Sequence, residues 1–256
     1  MIGGAGGLGG VLSEHLVRNY QARIVWLGRR PLDDGITAEL DRLAQIGPRP
    51  RYIQADAAIR SSLARAHEQI RAEFGSINGV IHSAIVLEDK SFIKMDEDRF
   101  LAGLRAKVET SVRLAQIFGD EGLDFVLFFS SLQSFIRAPG QSNYAAGCTF
   151  SDAFARRLNQ AWSCPVKIIN WGYWGSVGIV SDRAYQNRMA AIGVGSIEPA
   201  EGLAAIEQFL GAPIHQLAVV KSSHPAEAAV QSTAAAPNRI VLAAQAAPAM
   251  EAIWSE

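Results

Sequence analysis

Glycines crowd the start of this 256-residue chain, in the run Gly3-Gly4-Ala5-Gly6-Gly7-Leu8-Gly9. A Gly-x-Gly-x-x-Gly spacing lies within it at Gly4, Gly6 and Gly9. Residues without Cβ let a backbone turn sharply and approach a pyrophosphate. A helix that follows adds N–H groups and the positive end of its dipole. Leu8, Leu12 and Leu16 predict that helix, and the apolar run at residues 24–27 predicts the strand that such a turn needs next. This strand ends in Gly28-Arg29-Arg30. In dinucleotide folds an acidic residue there holds a ribose 2′-hydroxyl, and an arginine accommodates a 2′-phosphate. Arg29 and Arg30 therefore favour NADP(H) over NAD(H). Asp56, after the next strand, has two readings: contact with the adenine edge, or a helix N-cap.

The elements that would hold such a turn follow from the apolar pattern. Short apolar runs at 24–27, 52–55, 79–82, 125–129, 166–169 and 217–220 predict strands. Stretches with apolar residues three and four apart separate them, as at Leu101, Leu104, Val108 and Val112, and at Phe150, Phe154 and Leu158. Strands that are apolar throughout, alternating with helices, indicate a parallel sheet covered on both faces. The expected fold is α/β, a Rossmann-like doubly wound sheet that binds ligands beyond the carboxyl ends of its strands. Only Met1 and Ile2 precede the glycine turn, so the first strand reads as truncated or as supplied by a preceding polypeptide. Residues 1–221 read as the catalytic domain. Residues 222–256 hold 12 alanines with Pro225, Pro237 and Pro248 and read as a linker, in which 240–242 and 250–254 are able to dock.

Composition narrows the class. The net charge is −1, which argues against nucleic acid and anionic membrane as partners. No stretch is apolar enough for a span of about 20 residues, and the N-terminus lacks the pattern of a secretory signal. Two cysteines, Cys148 and Cys164, make neither a disulfide scaffold nor a zinc site. A reducing, cytoplasmic setting is the expectation.

Several blocks together carry a resemblance. They are the glycine run, the Arg29-Arg30 pair, Phe129-Ser130-Ser131, residues 139–146 (PGQSNYAA) and residues 170–175 (NWGYWG). From residue 3 to about 221 the chain resembles a ketoreductase domain of a modular polyketide synthase, within the short-chain dehydrogenase/reductase superfamily. Residues 21–30 and 79–84, including Ser83 and Ala84 beside the cofactor, look most like synthases whose acyltransferase is a separate protein. The resemblance implies NADPH as cofactor and a β-ketoacyl chain on a phosphopantetheinyl acyl carrier protein as substrate. It also implies neighbouring synthase domains, among them a structural subdomain ahead of this segment.

The chemistry can be argued from the residues. Hydride transfer to a ketone leaves an alkoxide that needs a proton, and a tyrosine is a suitable acid when its pKa falls from about 10 toward neutrality. Ser131 ends a strand and Tyr144 opens the next helix, so both can converge at one sheet edge: the serine binds the ketone oxygen and the tyrosine protonates it. A nearby ammonium would stabilise the phenolate. Many short-chain reductases place that lysine four residues after the tyrosine, where this chain has Cys148. The resemblance assigns the role to Lys107 instead, on the helix before the serine strand, although helical spacing alone reads it as a surface residue.

The family has asparagine at the position of Cys148, and a thiol cannot reproduce an amide's donor and acceptor. Retained, slowed or lost reduction are all open outcomes. The alternatives to a reductase are a nonreducing epimerase and an inactive cofactor-binding scaffold.

On the substrate side the resemblance places Leu87-Glu88-Asp89, Gln133, Pro139 and Asn143, and Ile136 stands where A-type domains carry tryptophan. It implies a B-type domain and a D-configured, usually 3R, hydroxyl. Trp171, Tyr173 and Trp174 read either as a loop near nicotinamide and acyl chain or as aromatic core. Residues 176–197 resemble the family's lid over the substrate.

Overall fold

The computed structural model describes residues 1–177, 183–222, 240–246 and 249–253. The elements run α1 (Gly7–Tyr20), β1 (Val25–Gly28), α2 (Asp34–Ala44), β2 (Arg51–Gln54), α3 (Arg60–Phe74), β3 (Gly79–His82), α4 (Glu97–Phe118), β4 (Phe125–Ser131), α5 (Gln133–Ile136), α6 (Ser142–Ala161), β5 (Val166–Trp171), α7 (Arg183–Ala191), β6 (Val194–Gly195), α8 (Pro199–Gly211), β7 (Gln216–Ser222), β8 (Ile240–Ala246) and β9 (Ala249–Ile253). All six apolar runs form strands, and β5 is buried along its whole length. That follows from its place between β4 and β7, with helices on both faces.

β1 pairs with β2, and β3-β4-β5-β7-β8 continue in parallel order. Met1 and Ile2 hold the place between β1 and β3. Ile2 bridges Leu27 on one side and His82 on the other. Its N–H donates to Ile81 at 2.8 Å, and its carbonyl accepts from Ser83 N at 2.9 Å. The Rossmann order is thus carried at its centre by two residues.

One difference from the sequence reading lies at the far edge. The stretch 222–256 is not linker throughout: β8 joins β7 in parallel register and β9 folds back on β8. Apolar runs broken by alanine gave no periodicity from which that pairing could be read.

Three apolar clusters cover the sheet. One packs α3, α4 and α6 against β3–β5, a second packs α1 and α8 on the opposite face, and a third joins α1 and α2 to β1 and β2. α4 is 22 residues long, starting where Asp96 Oδ1 accepts from Arg99 N at 2.9 Å and Glu97 and Asp98 fill its first turn. The buried face of α4 differs from the leucine stripe. Gly103, Lys107, Thr110, Ser111, Leu114 and Phe118 point inward, while Leu101 is exposed.

Candidate active site

The glycine turn is shaped by what surrounds it. Gly3 has φ +83°, a left-handed conformation, and a Cβ there would lie 2.8 Å from Ala84 N. A Cβ on Gly4 would lie 2.2 Å from the ring of Trp26, which is fully buried and donates its indole N–H to Ser13 Oγ at 2.8 Å. A Cβ on Gly9 would meet the Gly4 carbonyl oxygen at 2.4 Å. Gly6 caps α1 with no side-chain hydrogen bond, and the first turn, Gly7, Leu8 and Gly9 included, holds no acidic residue. The first N–H groups of a 14-residue helix therefore face outward without a competing carboxylate. These residues fit a pyrophosphate.

Arg29 and Arg30 follow β1 and are exposed. Arg30 pairs with Asp33 at 2.9 Å, and among the described residues Arg29 makes no ion pair. The backbone under them is held by Tyr52, whose hydroxyl donates to the Arg30 carbonyl, and by Gln54, which donates to the Arg29 carbonyl at 3.1 Å. Asp56 is not the N-cap of α3, which is Ile59. Its Oδ1 accepts from Ala58 N at 2.9 Å within the turn after β2. Ser83, after β3, donates its hydroxyl to the Ile2 carbonyl at 2.9 Å, so it and Ala84 back the glycine turn.

The candidate pocket lies on the seam between α4 and α6. The two helices approach closely because each has a glycine there. A Cβ on Gly103 would be 2.6 Å from Asn143 Nδ2, and one on Gly147 would be 3.1 Å from Lys107 Cβ. Lys107 is 3% exposed, and its Nζ donates to the Phe129 carbonyl of β4 at 2.6 Å. Burial lowers its pKa, opposed by the charges of Cys148 and Asp152.

The Tyr144 phenol lies near enough to the Ser131 hydroxyl and the Cys148 thiol for both to act on its titration. Burial raises its pKa well above the ordinary value, and Cys148 and Asp89 add to the rise while Ser131 opposes it. This is the reverse of the depression expected for a tyrosine acid. The main physical reason is burial of the phenol, which penalises the tyrosinate. Lys107 directs its ammonium to the Phe129 carbonyl, and its charge acts on Cys148. Cys148 is fully buried, and burial raises its thiol pKa against the opposing charge of Lys107.

The substrate-side residues converge on the start of α6. Asn143 Nδ2 donates to the Glu88 carbonyl at 3.3 Å, and Gln141 Nε2 donates to Asp89 Oδ2 at 2.6 Å. Leu87, Glu88 and Asp89 are partly buried by this docking. Gln133 accepts from Ala138 N at 2.9 Å and closes the loop that carries exposed Pro139. Trp171 is core rather than pocket wall. It is 5% exposed and packs edge-on against Phe129 and Trp174, with centroids 5.6 and 5.0 Å away. Tyr173 is less buried and packs on Tyr185 of α7 with centroids 5.3 Å apart. Of the lid stretch 176–197, residues 178–182 lie outside the described residues.

Comparison with known proteins shows the family. The KR domain profile matches residues 1–176. The chain belongs to the KR domain family. It is 57% identical over 224 residues to polyketide synthase PksN of Bacillus subtilis (strain 168), covering 88% of this chain and 4% of that protein. It is 47% identical to polyketide synthase ThaG of Burkholderia thailandensis, covering 86% of this chain and 4% of that protein. This KR domain thus spans only a small part of the curated relatives it matches. A crystal structure of a ketoreductase domain from the bacillaene assembly line superimposes with a TM-score of 0.79 at 30% identity, over 84% of this chain and 53% of that one. A short-chain dehydrogenase from Streptomyces avermitilis shares the fold, with a TM-score of 0.69 at 20% identity over 85% of each chain. The chain thus carries a KR domain, with a fold shared with ketoreductase domains of polyketide synthases and with a short-chain dehydrogenase.

Four buried groups near the pocket were not assigned from the sequence: Asp152, Asn170, Gln216 and His82. Asn170 and His82 stood inside quoted motifs without a role. The only signal for Asp152 was its spacing on α6, eight residues after Tyr144.

Proposed function

We propose that this KR domain reduces a β-ketoacyl thioester to the β-hydroxyacyl product, with the substrate carried by the phosphopantetheine arm of an acyl carrier protein. The observation that carries this reading is the Ser131–Tyr144–Cys148 cluster at the carboxyl end of β4, on the sheet edge where the glycine turn also opens. The proposed cofactor is NADPH. Gly3, Gly4, Gly6, Gly7, Leu8 and Gly9 would hold its pyrophosphate and Arg29 and Arg30 its 2′-phosphate, with Asp56, Ser83 and Ala84 alongside. When bound, the nicotinamide supplies the hydride.

The chain's own residues do the rest. Ser131 donates its hydroxyl to the ketone oxygen and orients it, and Tyr144 gives that oxygen its proton. The resulting tyrosinate would be costly in so buried a place. Lys107, whose charge already acts on Cys148 beside the phenol, offsets part of that cost. Cys148 fills the position of an amide in the family pattern and passes the influence of Lys107 to Tyr144. Docking of residues 87–89 on Gln141 and Asn143 supports a substrate-side wall of the B type and a D-configured product.

Neighbouring synthase domains, the structural subdomain included, are the other proposed partners. The setting is the cytoplasm, where the free thiols of Cys148 and Cys164 persist. Residues 1–221 are proposed as the catalytic unit, with 222–256 as the stretch leading onward.

Tyr144→Phe is the deciding variant. NADPH oxidation with a β-ketoacyl thioester should disappear while NADPH affinity stays within about twofold. Undiminished turnover would overturn the assignment. The bond from Lys107 to the Phe129 carbonyl rather than to the phenol favours one second reading, an epimerase that exchanges the α-hydrogen without reduction. Loss of an α-deuterium label without NADPH consumption would select it.

A further inference from the structure

A chain of polar side chains crosses the core beneath the reaction pocket. Asn170 on β5 is fully buried, and its Nδ2 donates to Asp152 Oδ2 at 2.8 Å, Ser134 Oγ at 2.9 Å and the Ser131 carbonyl at 3.1 Å. Ser134 Oγ donates to the same Ser131 carbonyl at 2.9 Å. Gln216 on β7 donates through Nε2 to Asn170 Oδ1 at 2.7 Å and to Asp152 Oδ2 at 3.2 Å. Arg156 grips Gln216 Oε1 through Nε at 3.0 Å and Nη2 at 2.6 Å.

Apolar residues of the same volume would fill this space without desolvating a carboxylate, so packing alone does not account for the set. Its ends show what it serves. One end lies on the backbone of Ser131. At the other, Asp152 and Lys107 are tied to the same strand end: Lys107 Nζ donates to the Phe129 carbonyl, and Asp152 reaches the Ser131 carbonyl through Asn170.

We propose that Asp152 is a positioning residue for ketone reduction: through Asn170 it fixes the turn that bears Ser131, and its carboxylate supplies the negative charge facing Lys107 across the pocket floor. This inference rests on the reductase reading.

Burial raises the Asp152 pKa, while Ser130, Asn170 and Ser134, followed by the charge of Arg156, favour the ionised form. That charge in turn supports the ammonium of Lys107 against its own burial. Among the described residues, the other titratable groups coupled to these two are Cys148 on α6 and His82 on β3; Tyr144 is coupled to Cys148, and Asp89 acts on Tyr144 from the loop before α4.

The test uses Asp152→Asn in the full chain, assayed with NADPH and the N-acetylcysteamine thioester of acetoacetate. Expected is a fall in kcat of roughly tenfold to a hundredfold, as for a reacting group held slightly out of place. KM should stay within about threefold, and NADPH affinity by fluorescence titration should be unchanged. The carboxylate raises the Lys107 pKa, so removing it lets the ammonium deprotonate sooner, and the alkaline limb of the kcat profile moves to lower pH. Asp152→Glu should move the limb back.

A wild-type kcat with an unmoved limb overturns the proposal. A fall in kcat with an unmoved limb also overturns it, because that marks a purely structural group. Where Asp152→Asn does not fold, Arg156→Gln loosens Gln216 from the outer end and should give a smaller fall in kcat. No change there is equally fatal. A wild-type chain that oxidises no NADPH fails the reductase reading itself, and this inference falls with it.

Discussion

The glycine turn ahead of α1 and the seam between α4 and α6 both depend on missing Cβ atoms, for opposite ends. At the turn, Gly4 and Gly9 stand against the buried Trp26 indole and a backbone carbonyl, neither of which can retreat. In the seam, Gly103 and Gly147 stand against the amide of Asn143 and the stem of Lys107, side-chain atoms with some room to shift. The turn keeps backbone N–H groups open toward a ligand. The seam brings a charged side chain into a buried pocket. A rigid cradle for a common cofactor therefore lies beside a pocket whose lining can be adjusted.

The largest effect that tests this contrast is expected for Gly4→Ala. Its methyl would overlap the Trp26 ring, so the fold should lose about 1–3 kcal/mol, as in other overpacked cores. NADPH binding should vanish with it, measured by denaturant melting and by fluorescence titration. Preserved affinity would mean that Trp26 can move, and the contrast would fail. Gly103→Ala should behave differently. Asn143 would have to yield and release the Glu88 carbonyl, so the ratio of 3R to 3S product should fall with little change in melting temperature, as chiral analysis of the hydroxy thioester would show. Gly147→Ala has the looser contact, and its effect on kcat should be smaller than that of Gly103→Ala on stereochemistry.

Arg29→Ala tests the cofactor end without touching packing. The preference for NADPH over NADH should fall by roughly tenfold, about the value of one charge-assisted hydrogen bond. An unchanged ratio of kcat/KM values would remove Arg29 from the cofactor site.

The smallest effect concerns pH. His82 is fully buried, and its pKa is held well below the usual value by burial and then by the charge of Lys107. The unfolded chain therefore takes up a proton that the folded chain refuses. The His82 contribution to stability is complete above about pH 6.5 and is lost as pH falls below it. His82→Leu should flatten the drop in melting temperature between about pH 6.5 and 5. A drop as steep as that of the wild type would assign it to other groups.

The sheet was legible because its strands are continuous apolar runs, and β3 begins and ends where the pattern placed it. The inward face of α4 was not. Counting leucines pointed to Leu101, Leu104 and Val108, yet Leu101 lies in solvent and the helix buries Gly103, Lys107, Thr110 and Ser111. A face chosen for close approach and for carrying a charge has no hydrophobic period. The same reason hid Asp152, whose partners Asn170 and Gln216 lie 18 and 64 residues away. The proposed cluster of Ser131 and Tyr144 was suggested by their places at the end of a strand and the start of a helix, where the structure puts them. The direction of the Tyr144 shift was not, because it depends first on how deeply the fold buries the phenol.

Asn143 holds the Glu88 carbonyl and immediately precedes Tyr144. On the proposed function, an acyl chain that pushed on residues 87–89 would pull, one peptide bond away, on the proposed proton donor. Selection of the incoming chain and timing of the protonation would then share a single lever, and a misfit substrate would be penalised by a displaced acid even where it still found room to bind.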